Sequence, residues 1–253
     1  MSTLCEATSV EESRGALAGS VAVVTGASRG IGGAVALALA QRGAALCLVG
    51  RHRDALQAVA NAVPRGRAVH LLLADLGEED AVRRIADRVE RHVGHVDILI
   101  HGAGLYGRGT LRDASIEQLD LLYKVNVRGP YLLTQLLLPM LTARRGQIAF
   151  VNSSQGLEAG AGVGQYAAMK HALKAIADSL RHELNPEGVR VLTVFPGRTA
   201  TPGMEDLHRL ERKAYRPELL LQPSDVAAVL VNALLLPRTA EVTNISVRPF
   251  AKS

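Results

Sequence analysis

Tryptophan is absent from this 253-residue chain, and all aromatic residues together make up only 3% of it. Stacking platforms for single-stranded nucleic acid are built from such rings, so a nucleic-acid partner is not expected. Only two cysteines occur, Cys5 in a polar segment and Cys47 inside an apolar run expected to be a buried strand. Neither a disulfide framework nor a metal site follows from them, and a reducing, cytoplasmic setting is expected. No apolar stretch reaches the length of roughly 18 residues that would span a bilayer. The first residues carry Glu6, Glu11 and Glu12 around no long apolar centre, so neither a membrane partner nor a secretory signal is expected. The net charge of +5 and pI ≈ 9.5 come from bases such as Arg83, Arg84, Arg88 and Arg91 interleaved with acids. That pattern reads as a solvated surface whose mild positive field favours phosphate-rich small molecules.

What the chain does have is a glycine-rich turn between two strongly apolar segments. Residues 21–25, VAVVT, are apolar without polar alternation, as in a parallel strand buried on both faces. Ile31, Val35, Ala38 and Leu39 then recur on one helical face. Between the two lie Gly26, Ser28, Arg29, Gly30, Ile31 and Gly32. Glycine permits a tight turn and close approach of a ligand, and the following helix offers free N–H groups and a positive dipole end to a pyrophosphate. A glycine-rich turn alone is weak evidence. The strand before it and the helix after it make nucleotide binding the expected function.

The rest alternates in the same way. Strands are expected at 45–49, 68–74, 96–100, 147–152, 189–195 and 242–247. Helices are expected at 53–62, 79–92, 115–144, 163–184 and 223–236, with an irregularity at Gly129-Pro130 and a Ser224 cap on the last helix. Such alternation predicts a single-domain α/β fold, a Rossmann-type doubly wound parallel sheet of about seven strands with helices on both faces. Ligands then bind at the C-terminal ends of the strands. The domain is expected to span 19–253, after a flexible tail at 1–18.

The end of the second strand bears on the cofactor. An NAD site usually places an acid about 20 residues past the glycines; here the sequence reads Gly50-Arg51-His52-Arg53. Arg51, with Arg29 reaching from the glycine turn, would match the oxygens of an adenosine 2′-phosphate. Taken singly, each arginine is an ordinary loop-end charge. Together with the missing acid they favour NADP(H).

The spacing T-G-x-x-x-G-I-G resembles that of the short-chain dehydrogenase/reductase family, classical type, and further motifs extend the resemblance over residues 17–249. Asp75-Leu76 matches the family's adenine-contacting position, although an Asp there also suits a plain helix-entry loop. His101-Gly102-Ala103-Gly104 stands where the family carries Asn-Asn-Ala-Gly. Ala103 and Gly104 fit the cofactor site. The Asn usual at 102 steadies the central sheet and must be replaced by another contact, while His101 reads as a satisfied loop histidine. Pro196-Gly197, with Thr199 and Thr201, resembles the segment against the nicotinamide and phosphates.

Tyr166 and Lys170 lie four residues apart, on one face of a helix. Such a pair alone is commonly a surface pair. The resemblance makes Tyr166 the proton donor or acceptor, and Lys170 the group that binds the nicotinamide ribose and lowers the tyrosine's pKa. Ser153, selected over Ser154 by its spacing to Gly156, polarises the substrate oxygen, and Asn126 supports a proton relay. No metal is implied.

The implied activity is hydride transfer between NADPH and a ketone or aldehyde, reversibly, with 3-oxoacyl, hydroxy-acid and other secondary-metabolite carbonyls as candidate classes. The competing function is an NADP-binding sensor or scaffold without turnover. A homo-oligomer, dimer or tetramer, is implied by the family. The terminal segment 241–250 departs from the glycine-rich end of many relatives and puts a standard tetramer in doubt. Residues 198–217 are expected to form a substrate lid presenting Met204, Leu207, Leu210 and Tyr215, with plain packing as the alternative.

Overall fold

A computed structural model describes residues 15–251; Cys5 and most of the expected tail lie outside them. The apolar runs form β1 (Val21–Thr25), β2 (Ala45–Gly50), β3 (Val69–Leu73), β4 (Ile98–His101), β5 (Gln147–Val151), β6 (Arg190–Pro196) and β7 (Asn244–Val247). All neighbours pair in parallel, in the order β3-β2-β1-β4-β5-β6-β7. The order reverses between β1 and β4, so their C-terminal ends open a crevice where the crossovers diverge. The glycine turn leaves β1 at that point.

The helices are α1 (Gly30–Gln41), α2 (Arg53–Asn61), α3 (Glu79–His92), α4 (Ile116–Tyr123), α5 (Gly129–Ala143), α6 (Gly164–Leu184), α7 (Pro202–Leu210) and α8 (Pro223–Leu234). Strand side chains alternate between two apolar layers, as the period of two requires. Ala22, Val24, Leu46 and Leu48 pack with Leu39 of α1 and Leu230 of α8. Val21, Val23, Cys47 and Val49 face Ile85 of α3, Leu137 of α5 and Leu173 of α6. Burial pushes the Cys47 thiol up to about 12, which makes it an inert core residue.

Several sequence expectations need correction. The tail does not extend through residue 18: Leu17 is buried, and its N–H donates to Arg42 O at 2.8 Å. Burying one leucine is worth about 2 kcal/mol, enough to hold this segment on the core. The last helix is capped by Gln222, not Ser224. The Gln222 side chain and Asp225 form a reciprocal capping box, and the helix ends at Leu234.

The irregularity expected at Gly129-Pro130 falls one turn earlier. Pro130 sits in the first turn of α5, where its missing N–H is tolerated, and residues Lys124–Arg128 widen into a π-helical turn in which Gly129 N–H reaches Lys124 O. A proline at 130 leaves the Asn126 carbonyl without its usual helical donor, and the wider turn absorbs the defect.

His101 ends β4 and is fully buried, so it is a core residue and not a loop histidine. Its ring stacks on Phe150 at 4.8 Å, and Nε2 lies 2.8 Å from Thr134 Oγ1. Thr134 gives its only proton to Pro130 O, so the network assigns the imidazole proton to Nε2. Burial pushes the imidazole down to about 3, and it is neutral at physiological pH.

The support that an Asn at 102 would give comes from Thr25. Its hydroxyl donates to Ile100 O and accepts from the N–H groups of Gly102 and Ala103, at 3.1–3.2 Å, which ties β1 to the end of β4. A Cβ at Gly102 would lie 2.7 Å from Thr25 O and 3.3 Å from the Gly32 Cα. Gly102→Ala is therefore expected to lower stability by about 1–3 kcal/mol, the range for forced overpacking. The measure is the urea midpoint, and an unchanged midpoint would show that β1 yields without cost.

Candidate active site

The glycine turn is shaped by close approaches. Gly26 has φ +66°, and a Cβ there would lie 2.7 Å from Ala103 N; a Cβ at Gly32 would lie 2.4 Å from Gly26 O. Both positions therefore exclude side chains. No side chain caps the N-terminus of α1, and its first turn holds no acid, so its free N–H groups are left for an anion. Thr201, the residue that caps α7 by accepting from Met204 N–H, reaches across to this turn. A Cβ at Gly30 would come 3.1 Å from its methyl group. Thr201 is thus brought to the phosphate cradle. Thr199 is buried, and its hydroxyl donates to Gly197 O at 3.0 Å, bracing the turn after Pro196.

At the other end of the crevice, Arg29 and Arg51 are exposed. Arg51 Nη1 lies 3.7 Å from Asp75 Oδ2, and both side chains are about half exposed. Such a pair is worth at most about 1 kcal/mol and can exchange readily for a phosphate. Asp75 also accepts from Gly77 N–H, as a loop-entry residue does. The Leu76 side chain is buried among the apolar residues of the core, so what it offers a cofactor is its backbone. Ser28 lies over Gly50, where a Cβ would meet its hydroxyl at 2.3 Å. Ile31, partly buried, packs on the core below the turn.

The four catalytic candidates converge beyond the C-terminal end of β5. Ser153 caps the short 3-10 turn Ser154–Gly156, its Oγ accepting from Gln155 N–H at 3.2 Å, and it lies within hydrogen-bonding reach of the Tyr166 phenol. Ser154 is a member of that turn and does not compete. The Tyr166 ring keeps some exposure while its hydroxyl sits deep. Burial pushes the phenol up to about 12, against the downward pull of the Ser153 hydrogen bond. Lys170 Nζ lies 5.7 Å from the ring centroid and donates to Val151 O at 3.2 Å. Burial pushes this ammonium down to about 8. In the protein alone desolvation dominates the phenol, and the Ser153 hydrogen bond is what pulls against it.

Asn126 stands in the π-helical turn, where its carboxamide clamps Leu105, accepting from the N–H at 2.8 Å and donating to the carbonyl at 2.9 Å. A Cβ at Gly104 would lie 3.1 Å from Asn126 Oδ1 and 3.6 Å from Lys170 Nζ, so this bare position opens onto both groups.

Three residues join the site without having been singled out in the sequence. Asn152 donates to Lys170 O at 3.0 Å and accepts from Ser153 N–H at 2.8 Å, so one carboxamide sets the serine against the lysine. Tyr106 packs on Tyr166 with ring centroids 4.8 Å apart. Glu211, past the end of α7, pairs with Arg108, with Lys213 at 3.0 Å and with Arg198 at 3.6 Å. Burial works against its charge, but the three cations hold its carboxyl below the usual range. The Asn152 signal was available in its place beside Ser153; the other two contacts run between distant loops.

The segment expected as a lid contains α7, closed at one end by the Thr201 cap. Leu207 is buried, whereas Leu210 is 78% exposed. Tyr215 packs edge-on against His208 at 5.4 Å. Among the described residues no group of side chains is arranged to hold a metal ion, and no helix is long and apolar enough to cross a membrane.

Comparison with known proteins agrees with this geometry. An uncharacterized oxidoreductase of Staphylococcus epidermidis is 34% identical over 230 residues, covering 90% of this chain and 96% of its own length. An alcohol dehydrogenase from the archaeon Thermococcus sibiricus, solved with 5-hydroxy-NADP, superposes with a TM-score of 0.84 at 28% identity, covering 92% of this chain and 98% of that one. An L-sorbose reductase from Gluconobacter frateurii, solved with NADPH and L-sorbose, has a TM-score of 0.86 at 25% identity, covering 93% and 97%. Residues 20–211 match the family described as short chain dehydrogenase. With the parallel sheet, the glycine turn and the Ser153, Tyr166 and Lys170 cluster in one crevice, the chain belongs to the short chain dehydrogenase family.

Proposed function

We propose that this protein reduces a ketone or aldehyde with NADPH. The observation that carries the reading is the meeting of the Ser153 hydroxyl, the Tyr166 phenol and the Lys170 ammonium beyond the C-terminal end of β5, in a sheet whose crevice also holds an uncapped glycine-rich helix start. The residues present fit the cofactor. Gly26, Gly30, Gly32 and Thr201 surround the space a pyrophosphate needs, Arg29 and Arg51 offer guanidinium groups to a 2′-phosphate, and Ala103, Gly104, Pro196 and Gly197 line the nicotinamide side. When bound, NADPH supplies the hydride.

The chain's own groups handle the oxygen. Ser153 donates a hydrogen bond to the substrate carbonyl and polarises it. Tyr166, protonated at neutral pH and held so more firmly by burial, delivers the proton as negative charge develops on that oxygen. Lys170 places a positive charge beside the phenol, easing the loss of its proton, and Asn126 holds the loop at Leu105 that closes this side of the pocket. The segment at 198–217 folds over the substrate and excludes water.

The test is NADPH oxidation against a panel of ketones and aldehydes, repeated across pH. Lys170 carries its charge below a pKa of about 8 and loses it above. The kcat/KM for reduction is thus expected to fall as pH rises through that value, because this ratio reports the free enzyme's ionisations. Tight NADPH binding with no consumption across the panel would favour the sensor or scaffold instead.

A further inference from the structure

We infer that the substrate is an oxo acid whose carboxylate is received by Arg108 and Arg198; this deepens, and rests on, the carbonyl-reductase reading. Arg108 comes from the loop between β4 and α4, Arg198 follows β6, and Lys213 follows α7. All three converge on one carboxylate, that of Glu211. The Glu211 side chain is only 4% exposed, while those of Arg108, Arg198 and Lys213 are 43%, 37% and 57% exposed. One negative charge therefore lies beneath three positive ones, and the cluster presents a surplus of two positive charges to the solvent side.

Position makes this surplus relevant to the reaction. Arg108, Arg198 and Glu211 all lie close enough to the Tyr106 hydroxyl to act on its charge, and the Tyr106 ring packs on Tyr166. The cationic cluster thus stands about one aromatic ring away from the proton donor. A neutral ketone would leave the surplus uncompensated when the segment carrying α7 covers the site. A carboxylate a few bonds from the carbonyl would balance it, and the fork of Arg108 suits a carboxylate's two oxygens. The nearby acid Asp206 does not supply that balance, since it pairs with Arg209 at 3.2 Å.

The experiment compares short oxo acids with their methyl esters, pairs that differ mainly in charge. The expected result is an acid-over-ester ratio in kcat/KM of about tenfold or more, equivalent to about 1.4 kcal/mol, which shrinks as salt is raised. Arg108→Gln is expected to reduce that ratio about tenfold, Arg198→Gln to reduce it less, and Glu211→Gln to raise it. Esters reduced as well as the acids would overturn the inference while leaving carbonyl reduction intact. So would an Arg108→Gln variant whose affinity for NADPH falls as much as its preference for the acid, since the arginine would then serve the cofactor. If neither acids nor esters are reduced, carbonyl reduction itself is in question. Calorimetric binding of the oxo acids to the NADPH-saturated protein then decides: binding lost in Arg108→Gln upholds the anion site, and no binding to the parent protein overturns it.

Discussion

Tyr166→Phe is expected to lower turnover by about 10³-fold, within the range that general acid catalysis contributes, while NADPH affinity stays close to the parent's. The change removes one oxygen and keeps the ring that packs on Tyr106 at 4.8 Å. Ser153 retains its bond from Gln155 N–H, so the turn after β5 stays in place. The phenol, protonated at neutral pH like any tyrosine, is held so more firmly by burial, which lifts its pKa to about 12. Stopped-flow turnover and NADPH fluorescence titration together read the result. Activity within tenfold of the parent would mean that another group delivers the proton.

Arg51→Asp is expected to cut kcat/KM with NADPH by about 10²-fold and to change it little with NADH. A hydrogen bond to a charged partner is worth about 1.5–3 kcal/mol, and an acid at this place repels the same phosphate, which together give roughly 3 kcal/mol, or about a hundredfold. The replacement would also stand beside Asp75, which now lies 3.7 Å from Arg51. The parent protein is expected to prefer NADPH for the same reason, with Arg29 as the second contact. Equal efficiency with both cofactors before any substitution would falsify the assignment of these arginines.

The parts of the fold that were legible in the sequence are those governed by near neighbours. The apolar run of β1, the glycines after it and the helical face of α1 all depend on residues a few positions apart, and each element expected there is present. Tyr166 and Lys170 were legible because helix geometry puts residues four apart on one face. Contacts across long separations were not. Arg108 meets Glu211 across 103 positions, and Thr25 reaches Gly102 across 77. Nothing in periodicity marks such pairs. The upward shift of the Tyr166 phenol was not legible for a different reason: desolvation depends on the packed site, which no local spacing records. The cap of α8 was misplaced because Ser224 is the commoner capping type, whereas Gln222 and Asp225 satisfy each other's backbone donors at the right spacing.

The π-helical turn at Lys124–Arg128 separates two angular settings along what is otherwise one long helix. A wider turn takes up about one residue beyond α-helical phase, a rotation of about 100° between the segments on either side. Leu133, Leu137 and Leu141 can therefore keep their orientation toward the sheet while Asn126 is turned onto Leu105. Removing one residue from the turn would restore a continuous helix but swing either the amide off the pocket or the leucines off the core. Sheet packing and active-site aim are thus set independently within a single rod, and the length of this segment is as constrained as its composition.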